Sequence, residues 1–319
     1  DRVAGEERRD MAPAIDRGNV EGVAEPVDGE RPGEADDMAA IDQALAEAAL
    51  ALAHKEAWTR FEPLLAELMA QWQVLRLPVQ AGTACPLQGS VARRMWQACA
   101  PWADQTYITP MAAVAGSVAQ ELLACYARAG VARAWVNNGG DIALHLAPGQ
   151  SVRVGLYADL ARLQVQELMH GLKLDGAFEI AHTMPVRGVA TSGWRGRSFS
   201  LGIADSVTVL AATAAQADAA ASIIANAVNV AHPGIVRQPA NSLRDMTDLD
   251  DLAVTVEVPS LPVEWVQRAL QAGWQRAREC QAQGLIAAAA LVCQGQTRLL
   301  PMAAAAEPLS FEDNPLALA

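Results

Sequence analysis

The stretch ATAAQADAAASIIANAV at 212–228 constrains the fold more than any other. It reads as an alanine-rich helix, capped by the hydroxyl of Thr213, with almost no side-chain volume and one carboxylate in its first half. Asp218 and Ser222 stand four residues apart and therefore share a face. A carboxylate and a hydroxyl so placed on an apolar helix can hold a hard cation such as Mg²⁺. The plainer reading is an aspartate near the first turn, stabilised by the helix dipole.

A second segment of small residues, PMAAVAGSVAQELL at 110–123, leaves one helix end nearly bare. Another helix or a flat ligand can approach it closely, and helix packing is the commoner use. WVNNGGDIAL at 135–144 sets two asparagines and two glycines between strands, a turn that requires positive φ. Gly139 and Gly140 also let a backbone come close to a phosphate or a ring. In GVATSGWRGRSFSLGIADSVTV at 188–209 a strand ends at Thr191-Ser192-Gly193 and enters a loop carrying Arg195, Arg197 and Ser198. Two arginines and several hydroxyls in such a loop suit phosphate, and a solvated surface loop is the alternative.

The rest of the chain reads as mixed helices and strands without regular βαβ alternation, which points to α+β layers: mixed sheets packed against helices. A helix is expected from Met38, with Asp36 or Asp37 as N-cap and a kink or break at Pro63. Further helices are expected at 90–99, 111–128, 214–230 and 262–281. Strands are expected at 134–136, 142–146, 152–157, 188–191, 206–211 and 253–258, with a closing hairpin of 285–292 and 296–300 turning at Gln294-Gly295. Residues 160–174 fit either state.

Residues 1–37 hold twelve acidic and five basic residues with few bulky apolar ones. Such a segment does not bury enough surface to offset chain entropy, so it is expected to be disordered or poorly ordered. That leaves one domain over 38–302 and a tail at 303–319. The net charge of -12 argues against nucleic acid and anionic membrane as partners. Five scattered cysteines without a CxxC pair favour free thiols in a reducing compartment. With neither an export signal nor an apolar run of membrane length, a cytoplasmic location is expected.

Taken in order, the small-residue helix, the strand with Gly-Gly-Asp, the Thr-Ser-Gly strand end, the S-V-T-V strand and the helix opening A-D-A resemble the ApbE-like flavin-transferase superfamily. The resemblance covers residues 110–230, and a short branch of the superfamily is similar from about Trp58 to the C-terminal hairpin. It implies a T-fold type α+β domain that binds FAD or FMN with Mg²⁺. The implied activity is transfer of FMN from FAD to a Thr or Ser hydroxyl of a protein acceptor, releasing AMP. Carried onto this chain, the implied metal ligands are the carbonyl of Ala115 with Asp218 and Ser222. The implied flavin or nucleotide contacts are Asn138, Gly139, Gly140, Asp141, Thr191, Ser192, Gly193 and Ser198.

Two features depart from that pattern. The superfamily's A-K-G-Y is replaced by Ala115-Gly116-Ser117-Val118, and its H-I-x-D-P segment by the shorter SFSLGIADSV. Arg195 and Arg197 are candidates to supply charge, and Asp205 to act as base. A non-catalytic flavin- or nucleotide-binding or interaction module on the same scaffold is the alternative. A serine nucleophile, Ser192 or Ser198, is a third reading, with His182 the nearest histidine in sequence. Small-residue helices often meet at dimer interfaces, so a homodimer is also expected.

Overall fold

The computed structural model describes residues 32–156 and 176–303. The first element, α1 (Pro32–Met69), begins earlier than Asp36 and takes in the end of the segment expected to be disordered. Proline suits a first helical turn, where its missing N–H would have no partner anyway. The helix also runs unbroken through Pro63. The ring of Pro63 lies on the exposed side while the next residue, Leu64, is buried in a cluster with Val91, Met95 and Leu122, and this packing holds the helix together.

After the short α2 (Trp72–Leu75) come α3 (Ser90–Cys99) and α4 (Val114–Leu123). The expected 111–128 helix is thus three pieces, because α4 is flanked by 3₁₀ turns at Pro110–Ala113 and Ala124–Tyr126. Thr109 sets the start by accepting the N–H of Met111.

Six antiparallel strands form the main sheet in the order β1-β2-β5-β6-β9-β10. They are β1 (Arg133–Asn138), β2 (Asp141–Leu146), β5 (Gly188–Ser192), β6 (Ser206–Ala211), β9 (Ala288–Cys293) and β10 (Gln296–Leu300). Two ribbons stand apart: β3 (Ser151–Leu156) with β4 (Gly176–Ala181), and β7 (Val236–Pro239) with β8 (Ala253–Glu257). Neither β4 nor β7 was expected from the sequence. The ambiguous 160–174 segment lies outside the described residues.

Alternation assigns the two faces of the sheet. Val207, Val209 and Ala211 of β6 and Ala289, Leu291 and Cys293 of β9 join the helical layer. That layer contains α5 (Ala214–Ala227) and α7 (Val263–Ala282), with the short α6 (Ala240–Leu243) beside β7. Leu210, Ala288 and Ala290 face the other way, where Phe178 and Ile180 of the β3-β4 ribbon cover them. The sheet is therefore buried on both faces, which gives the expected α+β layering. At the closing hairpin Gln294 and Gly295 both take positive φ, 46° and 76°, as a tight two-residue turn requires.

Candidate functional site

Helix α5 is almost side-chain-free because it lies between the sheet and α4. A Cβ on Gly116 would sit 2.3 Å from the Ala214 carbonyl oxygen, and one on Gly188 would sit 2.2 Å from the Ala214 nitrogen. The small residues of 110–123 are thus used inside one chain: Gly116, Ser117 and Ala119 are buried against α5.

Thr213 caps α5, its Oγ1 accepting the N–H of Gln216 at 3.3 Å. Asp218, one turn in, serves a different helix. Its Oδ2 accepts the N–H of Gly116 at 2.9 Å, and the carboxylate is also hydrogen-bonded by the backbone of Ala115. These are first-turn groups of α4, whose N–H donors have no partner within the helix. The helix dipole acting on Asp218 is therefore that of α4.

The β1-β2 turn reaches the same place. Gly139 and Gly140 take φ of 73° and 116°, and Asn137 Oδ1 accepts the N–H of Gly140. The adjoining Asn138 donates from Nδ2 to the Ala115 carbonyl at 3.2 Å. Asp141 follows the turn and accepts the N–H of Thr191 at 3.2 Å, which ties β2 to the end of β5.

Asp141 and Asp218 lie within electrostatic reach of each other. Burial lifts the Asp141 carboxyl from 3.8 to about 7, against the opposing hydrogen bond from Thr191. Burial, and then the charge of Asp141, push Asp218 well above the usual carboxylate range, although two backbone N–H groups pull it down. A cation bound at the two carboxylates would relieve the repulsion between them.

Around them the loop after β5 is folded tightly. Gly193 is buried so closely under Asp205 that a Cβ would lie 2.3 Å from the Asp205 carbonyl oxygen. Asp205 ion-pairs with Arg195 at 3.2 Å, and its Oδ2 also accepts the N–H of Gln294. The candidate base thus ties the loop to the β9-β10 turn. Arg197 is exposed and brings Nη1 to within 3.7 Å of where a Cβ of Gly139 would be, so the arginine loop and the glycine turn are neighbours.

Ser222 lies a turn further along α5, partly buried. Thr191 shares a hydrogen bond with Thr208 at 2.9 Å, Ser192 is partly buried at the strand end, and Ser198 is exposed. His182 bonds the Leu146 carbonyl through Nδ1 at 2.6 Å.

One acidic neighbour carried no signal in the sequence. Thr109 Oγ1 donates to Asp248 Oδ2 at 2.5 Å, and the thiol of Cys99 is pushed far up by burial, then by Asp218 and Asp248. Asp248 sits in an acidic loop in which the sequence does not distinguish it from its neighbours. The approach of Asp141 to Asp218 was equally hidden, since it joins residues 77 positions apart.

Among the described residues no helix is long and apolar enough to cross a membrane. Nor do the described residues hold a cluster of three His, Cys, Asp or Glu side chains in metal-binding array. A cation here would rest on two carboxylates and the Ala115 carbonyl. That all-oxygen set suits Mg²⁺, which retains several waters.

A UPF0280 protein of Methanosphaerula palustris is 37% identical over 147 residues, 46% of this chain and 54% of that protein. One from Methanopyrus kandleri is 36% identical over 183 residues, 57% and 66% of the two chains. One from Methanothermobacter thermautotrophicus is 42% identical over 123 residues, 38% and 43%. The chain spans about half the length of the curated relatives it matches. A crystal structure of the ApbE protein from Thermotoga maritima matches 84% of this chain and 76% of that one. Its 14% identity and TM-score of 0.34 are too low to carry an argument. The family model for AbpE bacteria matches residues 35–299, nearly all of the described chain. With the motifs in order and the layers in place, the chain belongs to this AbpE bacteria family, an ApbE-like branch.

Proposed function

We propose that the protein binds a flavin nucleotide, FAD or FMN, and that it transfers FMN from FAD to a hydroxyl of a protein acceptor. The observation that carries this reading is the pair Asp141 and Asp218, set where the N-terminus of α4, the Gly139-Gly140 turn and the Arg197 loop meet. Asp218, Asp141 and the Ala115 carbonyl would hold Mg²⁺, with Ser222 further along the same helix. The ion would neutralise pyrophosphate charge. Arg197 would meet a phosphate oxygen, and Gly139 and Gly140 would let the backbone approach it. Asn138 orients the Ala115 carbonyl, and Asp205 holds the loop that carries Arg197. In the transfer, the acceptor hydroxyl oxygen bonds to the FMN phosphorus and its proton passes to solvent, while the pyrophosphate P–O bond breaks and AMP leaves with the bridging oxygen. Purified protein incubated with FAD, Mg²⁺ and acceptor should release AMP and yield flavin-labelled protein. No AMP with any divalent metal would sink the transferase reading.

One observation favours a second reading, a binding module without transfer. Gly116 occupies the place of the lysine in A-K-G-Y, and no side chain fits there because Ala214 is too close. On that reading Asp218→Ala leaves flavin affinity unchanged with and without Mg²⁺. A large metal-dependent loss excludes it.

A further inference from the structure

Among its described side chains, helix α1 packs on the body through one face, where Ala53, Ala57 and Leu64 are buried. On the side turned away from the body, Trp58, Leu65 and Met69 remain 50%, 70% and 49% exposed, and Ala48, Lys55 and Glu62 are exposed with them. At 100° per residue these six side chains fall within an arc of roughly 100°.

The order of residues along this stripe is self-complementary. Let a second α1 lie antiparallel on the first, with the two-fold axis crossing between Trp58 and Thr59. Lys55 then faces Glu62 of the second copy, and Glu62 faces its Lys55. The small Ala48 faces the large Met69. Trp58 meets its own copy beside the axis. A parallel pair in register would instead oppose Lys55 to Lys55 and Glu62 to Glu62, so charge selects the antiparallel arrangement. Among the described residues Glu62 accepts a tryptophan N–H, from Trp58 at 3.0 Å, with no ion pair, and Lys55 has no ion pair. The neighbouring Glu56 and Glu67 are already paired, with Arg128 and Arg60.

We infer that this face binds a second copy of the chain, forming an isologous two-fold dimer through antiparallel α1 helices. One helix on one helix lies at or below the small end of stable interfaces, about 1,200 Å². The dimer therefore exchanges with monomer.

Sedimentation velocity of the full chain over a concentration series tests this, alongside Lys55→Glu and Glu62→Lys. Both substitutions are on exposed positions. The wild type should show a monomer–dimer equilibrium. Each variant sets like charges against each other twice per dimer and should dissociate roughly tenfold more readily. When the two variants are mixed in equal amounts, a dimer of one with the other again joins an acidic to a basic side chain at both contacts. Dimer should therefore return in the mixture. A wild type that is monomeric throughout overturns the proposal. So does a dimer indifferent to either reversal, or a mixture no better associated than its parts.

Discussion

Gly116 donates its backbone N–H to the carboxylate of Asp218 at 2.9 Å while a Cβ on the same residue would lie 2.3 Å from the Ala214 carbonyl oxygen. One residue thus fixes both the approach of α4 to α5 and the position of the buried carboxylate. Gly116→Ala forces those two backbones apart. It should destabilise the protein by about 2 kcal/mol or more, as overpacking of a tight contact does. Urea unfolding measures this, and an unchanged midpoint would mean that the two helices are not in contact as described.

The raised carboxyl of Asp141 makes stability depend on pH. Its folded value is about 7 against 3.8 for the ordinary group, so the folded state holds the proton more tightly. The stability it contributes is full below about pH 4, falls as pH rises toward about 7, and is flat above. Asp141→Asn removes that slope. Wild-type and variant unfolding curves between about pH 4 and about pH 8 should therefore converge or cross as pH rises, the wild type losing ground. Parallel curves would contradict the burial of this carboxyl.

Mg²⁺ or Mn²⁺ should raise the thermal midpoint of the wild type most above about pH 7, where the Asp141 carboxyl is mostly charged. Asp218→Asn retains an acceptor for the Gly116 N–H and removes a buried ionisable group. Its midpoint without metal should equal or exceed that of the wild type, and its response to metal should vanish. Metal at roughly a hundredfold over its dissociation constant would contribute about 2.7 kcal/mol, which differential scanning fluorimetry resolves. A variant that still responds places the cation elsewhere.

Arg197 is exposed, and its head group lies beside Gly139. Arg197→Ala should leave the thermal midpoint within about 1 °C, since exposed positions contribute little. It should weaken FAD binding by roughly tenfold or more, the worth of a charge-assisted contact to phosphate. Fluorescence titration of flavin gives the affinity. Equal affinities would assign the arginine to solvent.

Much of the architecture was legible in local signals. Thr213 capping α5, the positive φ of Gly139 and Gly140, and the Gln294-Gly295 turn each follow from what one residue type permits its own backbone. β6 and β9 are marked by mostly apolar residues because both faces are buried, with Ser206 and Thr208 buried polar exceptions in β6. The strands β4 and β7 are short: β4 shows one alternation, Phe178-Glu179-Ile180, and β7 carries Val236 among polar residues and a proline, so each is set by its partner ribbon. At Pro63 the helix does not break: a proline disfavours a helix locally, and the burial of Leu64 overrides it.

At the site, local sequence was enough to mark the residues that carry chemistry. A lone carboxylate on an apolar helix, a Gly-Gly-Asp turn and an arginine loop are readable because each is anomalous in its own surroundings. Packing chose their partners. It turned Asp218 toward the N-terminus of α4, brought Asp141 within reach of it, assigned Asp205 to Arg195 and Gln294, and excluded any side chain at Gly116. These relations join residues far apart in the chain. Their energies depend on burial and on the distance between charges, and neither exists until the layers have packed.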